Sequence, residues 1–181
     1  MSVKIPAGFS LLEGERPVWR GRISWKAQWW LLLLGVLTIW LFGLGIIFFI
    51  IATIRVYSSE YFVTNKRVYV KYGLIAREIF DLKNEWITNY IVKQGVIGRI
   101  LSFGDIVIST PGHYAGTAVM RGVSDPTHIK TLLEETLRRA EKAKEVEKKL
   151  RRLEEEHDFG RISDEKYREL KAKYEEELRK Y

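Results

Sequence analysis

The sequence contains no cysteine. Disulfides, thiolate zinc sites and cysteine nucleophiles are therefore excluded. Asparagine and glutamine together number only five, whereas lysine, arginine and glutamate are abundant. Because ion-pair-forming residues are enriched and heat-labile ones depleted in proteins from thermophiles, this composition predicts a thermophilic source.

Sequence motifs of the common enzyme classes are also lacking. There is no glycine-rich phosphate loop and no Gly-x-Ser-x-Gly motif. The histidines His113, His128 and His157 lie far apart, and none has the spacing of a metal ligand to another histidine or to a pair of carboxylates. The sequence therefore predicts a protein that is not an enzyme, with no cofactor, no metal and no evident small-molecule substrate.

Charged residues are absent from one long stretch. Residues 27–54 are 28 consecutive uncharged residues, most of them Leu, Ile, Phe or Trp. An uncharged apolar run longer than about 18 residues predicts insertion into a membrane. The mean hydropathy of −0.14 hides this run, because 28 of the last 44 residues are charged.

We interpret the apolar run as a helical hairpin with arms at 24–42 and 44–58. A turn at Gly43 and Gly45 fits this interpretation, and basic residues flank both ends of the run, as the positive-inside rule requires of a hairpin. The predicted membrane-interface residues are Trp25, Trp29, Trp30, Trp40 and Tyr57. One tilted span and a buried helix in a soluble domain remain alternatives, and the short second arm leaves full crossing open.

A β-rich region follows the apolar run. Short segments rich in β-branched and aromatic residues are separated by turn residues, which predicts antiparallel strands. We predict strands at 61–64, 68–72, 76–82, 87–94, 106–110 and 117–121, with a loop or short helix within 95–105. Asp125 and Pro126 then fit the start of a helix. The pattern predicts a small barrel or sandwich capped by one helix.

Several motifs resemble the bacterial pleckstrin-homology-like, membrane-flanked domain family. They are Gly14-Glu15-Arg16-Pro17 leading to Trp25, Tyr61-x-Val63-Thr64-Asn65-Lys66-Arg67-Val68 followed by Gly73, Gly95-x-x-Gly98-Arg99-Ile100-Leu101-Ser102-Phe103-Gly104-Asp105-Ile106, and Gly122-Val123-Ser124-Asp125-Pro126. The resemblance covers about residues 11–139. It implies a pleckstrin-homology-like barrel with both termini on the cytoplasmic side, and it implies no settled biochemical role.

Three basic residues are candidate contacts for lipid headgroups. Lys66 and Arg67 occupy a predicted tight turn close to the apolar run, and Arg99 lies in the glycine-rich segment. A basic side chain near an anionic lipid surface contributes roughly 1 kcal/mol to binding. Ordinary surface charge is the alternative interpretation. The net charge of +7 is not concentrated in one basic stripe, so nucleic acid is not a predicted partner.

The charged C-terminal segment carries two narrow apolar stripes. Their helical spacing, with a break at 158–163, predicts a short αα-hairpin. The segment resembles the short C-terminal oligomerisation domain of many prokaryotic membrane proteins, through Leu153, residues 160–165, Tyr167 and Leu170. The candidate residues for tail association are Val146, Leu150, Leu153, Tyr167, Leu170, Tyr174 and Leu178. A solvated hairpin without a partner is the alternative.

Taken together, these patterns predict an α+β membrane protein with four segments. They are an N-terminal cytoplasmic segment at 1–23, a membrane helical hairpin at 24–58, a pleckstrin-homology-like β domain with a capping helix at 59–140, and a charged helical hairpin at 141–181.

The predicted function is that of a membrane-anchored interaction or scaffold module on the cytoplasmic face. The predicted localisation is integral to the cell membrane, with the β domain and both termini cytoplasmic. Its predicted partners are membrane lipid and either a second copy of the chain or another membrane protein. The alternatives are recognition of anionic headgroups and a role as accessory subunit of a membrane transporter or enzyme complex.

Overall fold

A computed structural model describes residues 3–6, 8–39, 45–73, 77–111 and 118–180. The chain divides into two compact units, Met1–Glu134 and Glu135–Tyr181. The strands are β1 (Pro17–Gly21), β2 (Glu60–Thr64), β3 (Arg67–Tyr72), β4 (Glu78–Lys83), β5 (Asn89–Lys93), β6 (Phe103–Ser109) and β7 (Ala118–Ser124). The helices are α1 (Trp29–Thr38), α2 (Gly45–Ser58), α3 (Val96–Ile100), α4 (Pro126–Asp158) and α5 (Asp164–Arg179), with 3₁₀ turns at Trp25–Gln28 and Asn84–Trp86.

The first sheet is antiparallel, with strand order β1-β2-β3-β4. All five residues of β2 are buried, because both faces of this strand are covered. On one face the Tyr61 hydroxyl donates to the backbone carbonyl of Arg121 in β7 at 2.9 Å. On the other face the ring of Phe9 packs against Phe62 at 4.9 Å and against Tyr69 at 5.1 Å. The N-terminal segment is therefore part of this domain's packing.

The second sheet is antiparallel, with strand order β5-β6-β7. Its buried side chains include Ile106, Ile108 and Met120, none of which is exposed to solvent. The first turns of α4 add Ile129 and Leu133, which are also buried. Because α4 begins at Pro126, the predicted start of the capping helix is confirmed.

All six predicted strands are present as β2 to β7, with ends shifted by a few residues. Ala76 and Thr117, which the predictions placed at strand starts, lie outside the described residues. The short helix α3 lies within 95–105, as predicted. Strand β1 was not predicted, because Pro17 and Gly21 at its ends obscure a strand pattern. It pairs with β2, and Arg20 also forms an ion pair with Glu60.

Helices α1 and α2 pack against each other as an antiparallel pair. Gly35 of α1 faces the ring of Phe49, and Gly45 at the start of α2 faces the Gly35 carbonyl. A Cβ on either glycine would clash with these neighbours, so the missing side chains set the close approach of the two helices. The predicted turn residues 42–44 and the predicted interface residue Trp40 lie outside the described residues.

The prediction of a transmembrane hairpin at 24–58, and with it the fold class of a membrane protein, is wrong. Over the residues that the structure describes, no helix combines the length and apolar character needed to cross a bilayer. Helix α1 has 10 residues and α2 has 14, or about 15 and 21 Å, against a hydrocarbon core of about 30 Å. Part of the first predicted arm is a 3₁₀ turn, which shortens the α-helix. The predicted integral localisation in the cell membrane, with both termini cytoplasmic, is wrong for the same reason.

The second unit is an αα-hairpin of the C-terminal part of α4 and all of α5. Val146 and Leu153 are buried in it, and the rings of His157 and Tyr167 stack at 4.1 Å. Gly160 has a φ of +69°, which suits the end of a helix, and Ser163 occupies the N-cap position of α5. The predicted break at 158–163 is thereby confirmed.

The Gly122→Ala substitution tests the contact between β7 and the 3₁₀ turn before α1. Gly122 has a φ of +60°, and a Cβ there would lie 2.7 Å from the Cβ of Ala27 and 3.0 Å from Cγ2 of Ile23. We expect strain and displacement of the turn to lower the free energy of unfolding by about 2 kcal/mol. Denaturant unfolding followed by tryptophan fluorescence measures this loss. Every tryptophan precedes residue 87, so the fluorescence reports on the first unit.

Gly8→Ala is the matched control, since Gly8 has a φ of +84° but no heavy atom within 4 Å of the added Cβ. An equal loss of stability in both variants would contradict the steric explanation.

Candidate functional site

The α1–α2 pair exposes many large apolar side chains. The exposed side chains are Leu33, Val36, Leu37 and Ile39 on α1 and Ile46, Ile47, Ile50, Ile51 and Ile54 on α2. Leu37 has 73% of its surface exposed. Apolar patches of this extent are uncommon on soluble monomers and mark a surface that binds a partner or a lipid phase. We call these nine residues the apolar surface.

Aromatic and basic side chains surround the end of the pair that joins the β domain. The guanidinium of Arg22 lies 5.6 Å from the centre of the Tyr57 ring, and that of Arg55 lies 5.9 Å from the Trp30 ring. The Trp25 and Tyr57 rings meet edge to face at 6.3 Å. Together with exposed Lys26, these side chains form what we call the collar, comprising Arg22, Trp25, Lys26, Trp30, Arg55 and Tyr57.

The collar forms because α1 and α2 are antiparallel. The start of α1 and the end of α2 therefore lie at the same end of the pair, which brings residues 22–30 next to residues 55–57. Three of the predicted interface residues, Trp25, Trp30 and Tyr57, come together in the collar. A fourth, Trp29, precedes Trp30 in the chain and is half-buried. Their role at a membrane interface stays a prediction.

Lys66 and Arg67, two of the candidate headgroup residues, hold the N-terminal segment. The Lys66 ammonium donates to the carbonyl of Glu13 at 2.6 Å. The Arg67 guanidinium donates to Glu15 at 2.9 Å, to Asp81 at 2.6 Å and to the carbonyl of Ser10 at 2.6 Å. The ring of Phe9 lies 4.2 Å from the same guanidinium. These contacts use the donors of Arg67 within the fold, and a headgroup role for either residue stays a prediction.

Glu15 is the buried partner in this network. Its side chain is fully buried, and it accepts hydrogen bonds from Arg67, from the hydroxyl of Thr64 at 2.7 Å and from the amide of Leu12 at 2.7 Å. Burial by itself raises the pKa of Glu15, but the hydrogen bonds from Arg67, Leu12 and Thr64 outweigh it and hold the pKa below the usual 4.5. The hydrogen bond to Glu15 in turn raises the pKa of Arg67. Both groups are therefore charged near neutral pH.

Arg99, the third headgroup candidate, lies in the last turn of α3. It is exposed, and its guanidinium forms no hydrogen bond or ion pair with a residue that the structure describes. The neighbouring apolar residues Val96 and Ile100 of α3 are also exposed. Arg99 is thus available to an external anion, which leaves its predicted role open.

The predicted tail-association residues lie on facing stripes of the αα-hairpin. Val146 and Leu153 are buried between the helices of the second unit. Leu150, Tyr167, Leu170, Tyr174 and Leu178 are half-buried, and α5 has no fully buried residue. The stripes therefore keep part of their apolar area accessible.

The histidines offer no common site in the described chain. His128 is exposed on α4, and Nε2 of His157 lies 2.8 Å from Oδ1 of Asp164. His113 lies outside the described residues. Within the described ranges, no group of three or more histidine, aspartate or glutamate side chains is placed to hold a metal ion.

The chain belongs to the bacterial PH domain family, because the sequence profile described as "Bacterial PH domain" matches residues 21–154, well over half of the chain. The predicted pleckstrin-homology-like domain is thereby confirmed. A domain of this kind indicates an interaction or scaffold module, and it does not indicate catalysis. The mixed α+β fold with its two antiparallel sheets fits this family.

One solved structure is similar to part of this chain. It is the crystal structure of a DUF1696 family protein with a pleckstrin-homology domain from Shewanella loihica PV-4, at 17% identity and a TM-score of 0.36. The similarity covers 46% of this chain and 74% of that chain, and at this score it adds nothing to the family assignment. No curated protein matches the sequence.

Glu15→Gln tests how far the N-terminal segment depends on the buried ion pair. The substitution leaves Arg67 with little solvent exposure and without its main charge partner, so we expect a loss of about 3 kcal/mol in the free energy of unfolding at pH 7. Glu13→Gln, which removes an exposed neighbouring charge, is the control and should change stability little.

The difference between wild type and Glu15→Gln should also depend on pH. Because the pKa of Glu15 is lower in the folded state than in the unfolded chain, its stabilisation is complete above the usual value of 4.5. It is lost as the pH falls through the folded pKa. Denaturant titrations from pH 7 to pH 3 should therefore show the two proteins converging, and a constant difference would contradict the ion-pair explanation.

Proposed function

We propose that the chain is a non-catalytic interaction module that attaches to a lipid surface through the α1–α2 pair. The observation that carries this proposal is the order of side chains along the pair. Exposed aliphatic residues cover the helices, and the collar follows at the end nearest the β domain. This order matches the layers of a bilayer leaflet, since Trp, Tyr and basic side chains favour the interface and aliphatic ones the hydrocarbon.

The length of the pair supports attachment to one leaflet. Helix α1 measures about 15 Å and α2 about 21 Å, both shorter than the hydrocarbon core of about 30 Å. Attachment of this kind requires no crossing of the bilayer. The predicted transmembrane hairpin, by contrast, would have required both helices to cross the bilayer.

The charges of the collar favour an anionic surface. Arg22, Lys26 and Arg55 form no ion pair within the described part of the chain, so they are available to phosphate groups. Each basic side chain close to an anionic leaflet contributes about 1 kcal/mol. Lys66 and Arg99 remain proposed secondary contacts, and the pleckstrin-homology-like domain would present its own surfaces to partners next to the membrane.

Flotation of the full chain with vesicles tests the proposal. We expect binding to phosphatidylcholine vesicles and stronger binding when anionic phosphatidylglycerol is included. Leu37→Asp should weaken binding roughly 100-fold, because it places a charge in the hydrocarbon layer. Phe159→Asp is the matched control, since Phe159 of the second unit is 75% exposed, against 73% for Leu37.

Equal binding of the Leu37→Asp and Phe159→Asp variants would overturn the proposal. Failure of the wild-type chain to float with either vesicle would also overturn it and would favour a protein partner for the apolar surface. Lys66→Ala and Arg99→Ala, measured on the anionic vesicles, test the secondary contacts. Arg67→Ala is less informative, because Arg67 also holds Glu15.

We also propose that the tail supports self-association. The half-buried stripe of α5 and the resemblance to the short C-terminal oligomerisation domain support this second proposal. Deletion of residues 144–181 is expected to lower the oligomer order, measured as mass by light scattering in detergent. An unchanged mass would refute it.

A further inference from the structure

A cavity of about 530 Å³ lies in the first unit between the base of the α1–α2 pair and the two sheets. Gln28 and Arg55 line it from the helical side, and Tyr72, Glu78, Asp105 and Arg121 line it from the strands. Its volume falls within the range of cavities that bind small molecules. None of the residues considered above for lipid or tail contacts, apart from Arg55, lines this cavity.

Gln28 gives the cavity an unpaired acceptor. Only 5% of its surface is exposed, and Oε1 is buried without a hydrogen-bond partner among the described residues. Buried polar atoms of folded proteins nearly always have a partner, so an orphaned acceptor on a residue that lines a cavity points to a donor that the described chain does not supply. The Tyr72 hydroxyl is buried as well and forms no well-aligned hydrogen bond within the described ranges, although the backbone amide of Val119 lies near it.

The cavity also carries charges of both signs. Arg55 and Arg121 are cationic, Glu78 and Asp105 are anionic, and none of the four forms an ion pair with a residue that the structure describes. Arg121 lies 5.7 Å from the centre of the Tyr72 ring, and Asp105 accepts the amide of Gly122 at 2.8 Å with one carboxylate oxygen. The second oxygen of Asp105 accepts no such bond from the residues that the structure describes. Unpaired charges of opposite sign around one cavity favour a ligand that itself carries both signs.

The electrostatics of Tyr72 are consistent with this arrangement. Burial raises the pKa of Tyr72 to about 12, Arg121 opposes the increase, and Asp105 and Glu78 add to it. Both kinds of charge therefore act on the same hydroxyl.

We propose that this cavity binds a small zwitterion of the phosphoethanolamine type, with a phosphate beside a primary ammonium group. The two guanidinium groups suit the phosphate, because arginine binds phosphate oxygens through paired N–H donors. The primary ammonium suits the carboxylates of Asp105 and Glu78 and the Oε1 atom of Gln28, because its N–H groups can donate hydrogen bonds to them. A quaternary ammonium has no N–H group and could not do so. A purely anionic ligand would leave the carboxylates unpaired, and a purely cationic one would leave the arginines unpaired.

The ligand can come from two sources, the headgroup of a phospholipid or free phosphoethanolamine. The lipid source rests on the proposed function, since the cavity adjoins the base of the α1–α2 pair. The chemistry of recognition is the same for both sources. The experiment therefore has a soluble arm and a vesicle arm.

In the soluble arm, calorimetry of the full chain with O-phosphoethanolamine is compared with O-phosphocholine and ethanolamine. We expect O-phosphoethanolamine to bind at least tenfold more tightly than the other two. Gln28→Leu and Arg121→Met should each weaken its binding at least tenfold. Arg138→Met, which removes an exposed charge from α4 in the second unit, is the control and should retain binding. Because Arg121 is exposed, its variant remains informative if Gln28→Leu fails to fold.

In the vesicle arm, flotation with phosphatidylethanolamine vesicles is compared with phosphatidylcholine vesicles. If the chain prefers phosphatidylethanolamine vesicles and Arg121→Met abolishes that preference, the ligand is the lipid headgroup. If soluble O-phosphoethanolamine binds without that preference, the ligand is the free molecule. Absence of both, or equal binding of O-phosphocholine, would overturn the proposal. Leu37→Asp separates the two claims, because it should abolish flotation and leave binding of soluble O-phosphoethanolamine unchanged.

Discussion

The contact between the 3₁₀ turn Trp25–Gln28 and strand β7 positions both the collar and the wall of the cavity. The amide of Ser24 donates to the Gly122 carbonyl at 2.7 Å. Because Gly122 has no side chain, Ala27 can pack closely against it. This one contact fixes where α1 leaves the β domain. It thereby places Trp25 and Lys26 in the collar and Gln28 in the cavity wall.

A second network joins the N-terminal segment to the first sheet. Glu15 and Arg67 form the centre of it, and the ring of Phe9 packs against the Arg67 guanidinium. The basic turn that resembles a lipid contact in sequence therefore has a clear role inside the fold. In the described part of the chain, Arg22, Lys26 and Arg55 form no ion pair, and they lie at the end of the α1–α2 pair that carries the apolar surface. This difference between engaged and available charges is the reason why the proposed attachment relies on the collar.

The strands and the helix break could be predicted because their signals are local. Residues 61–72 alternate β-formers around a turn, and Gly160 and Ser163 mark the ends of two helices. The length of α1 could not be predicted, because an apolar run does not reveal where a 3₁₀ turn replaces an α-helix. The predicted transmembrane hairpin is wrong because neither α1, with 10 residues, nor α2, with 14, is long enough to cross a bilayer.

The candidate site was predictable only in part. The aromatic residues Trp25, Trp30 and Tyr57 were identified by type, but their meeting with Arg22 and Arg55 depends on the antiparallel packing of two helices. The roles of Glu15 and Arg67 required a contact 52 residues apart in sequence. The cavity likewise assembles residues between positions 23 and 122, which no local pattern joins.

The absence of native cysteine allows a direct test of the proposed attachment, since single cysteines can be introduced without background labelling. A fluorophore on Leu37→Cys, on Tyr57→Cys or on Phe159→Cys would be quenched by iodide with and without anionic vesicles. We predict that vesicles protect the label at position 37 almost fully, the label at position 57 partly, and the label at position 159 not at all. Equal quenching at position 37 with and without vesicles would contradict the attachment of this domain to lipid through the α1–α2 pair.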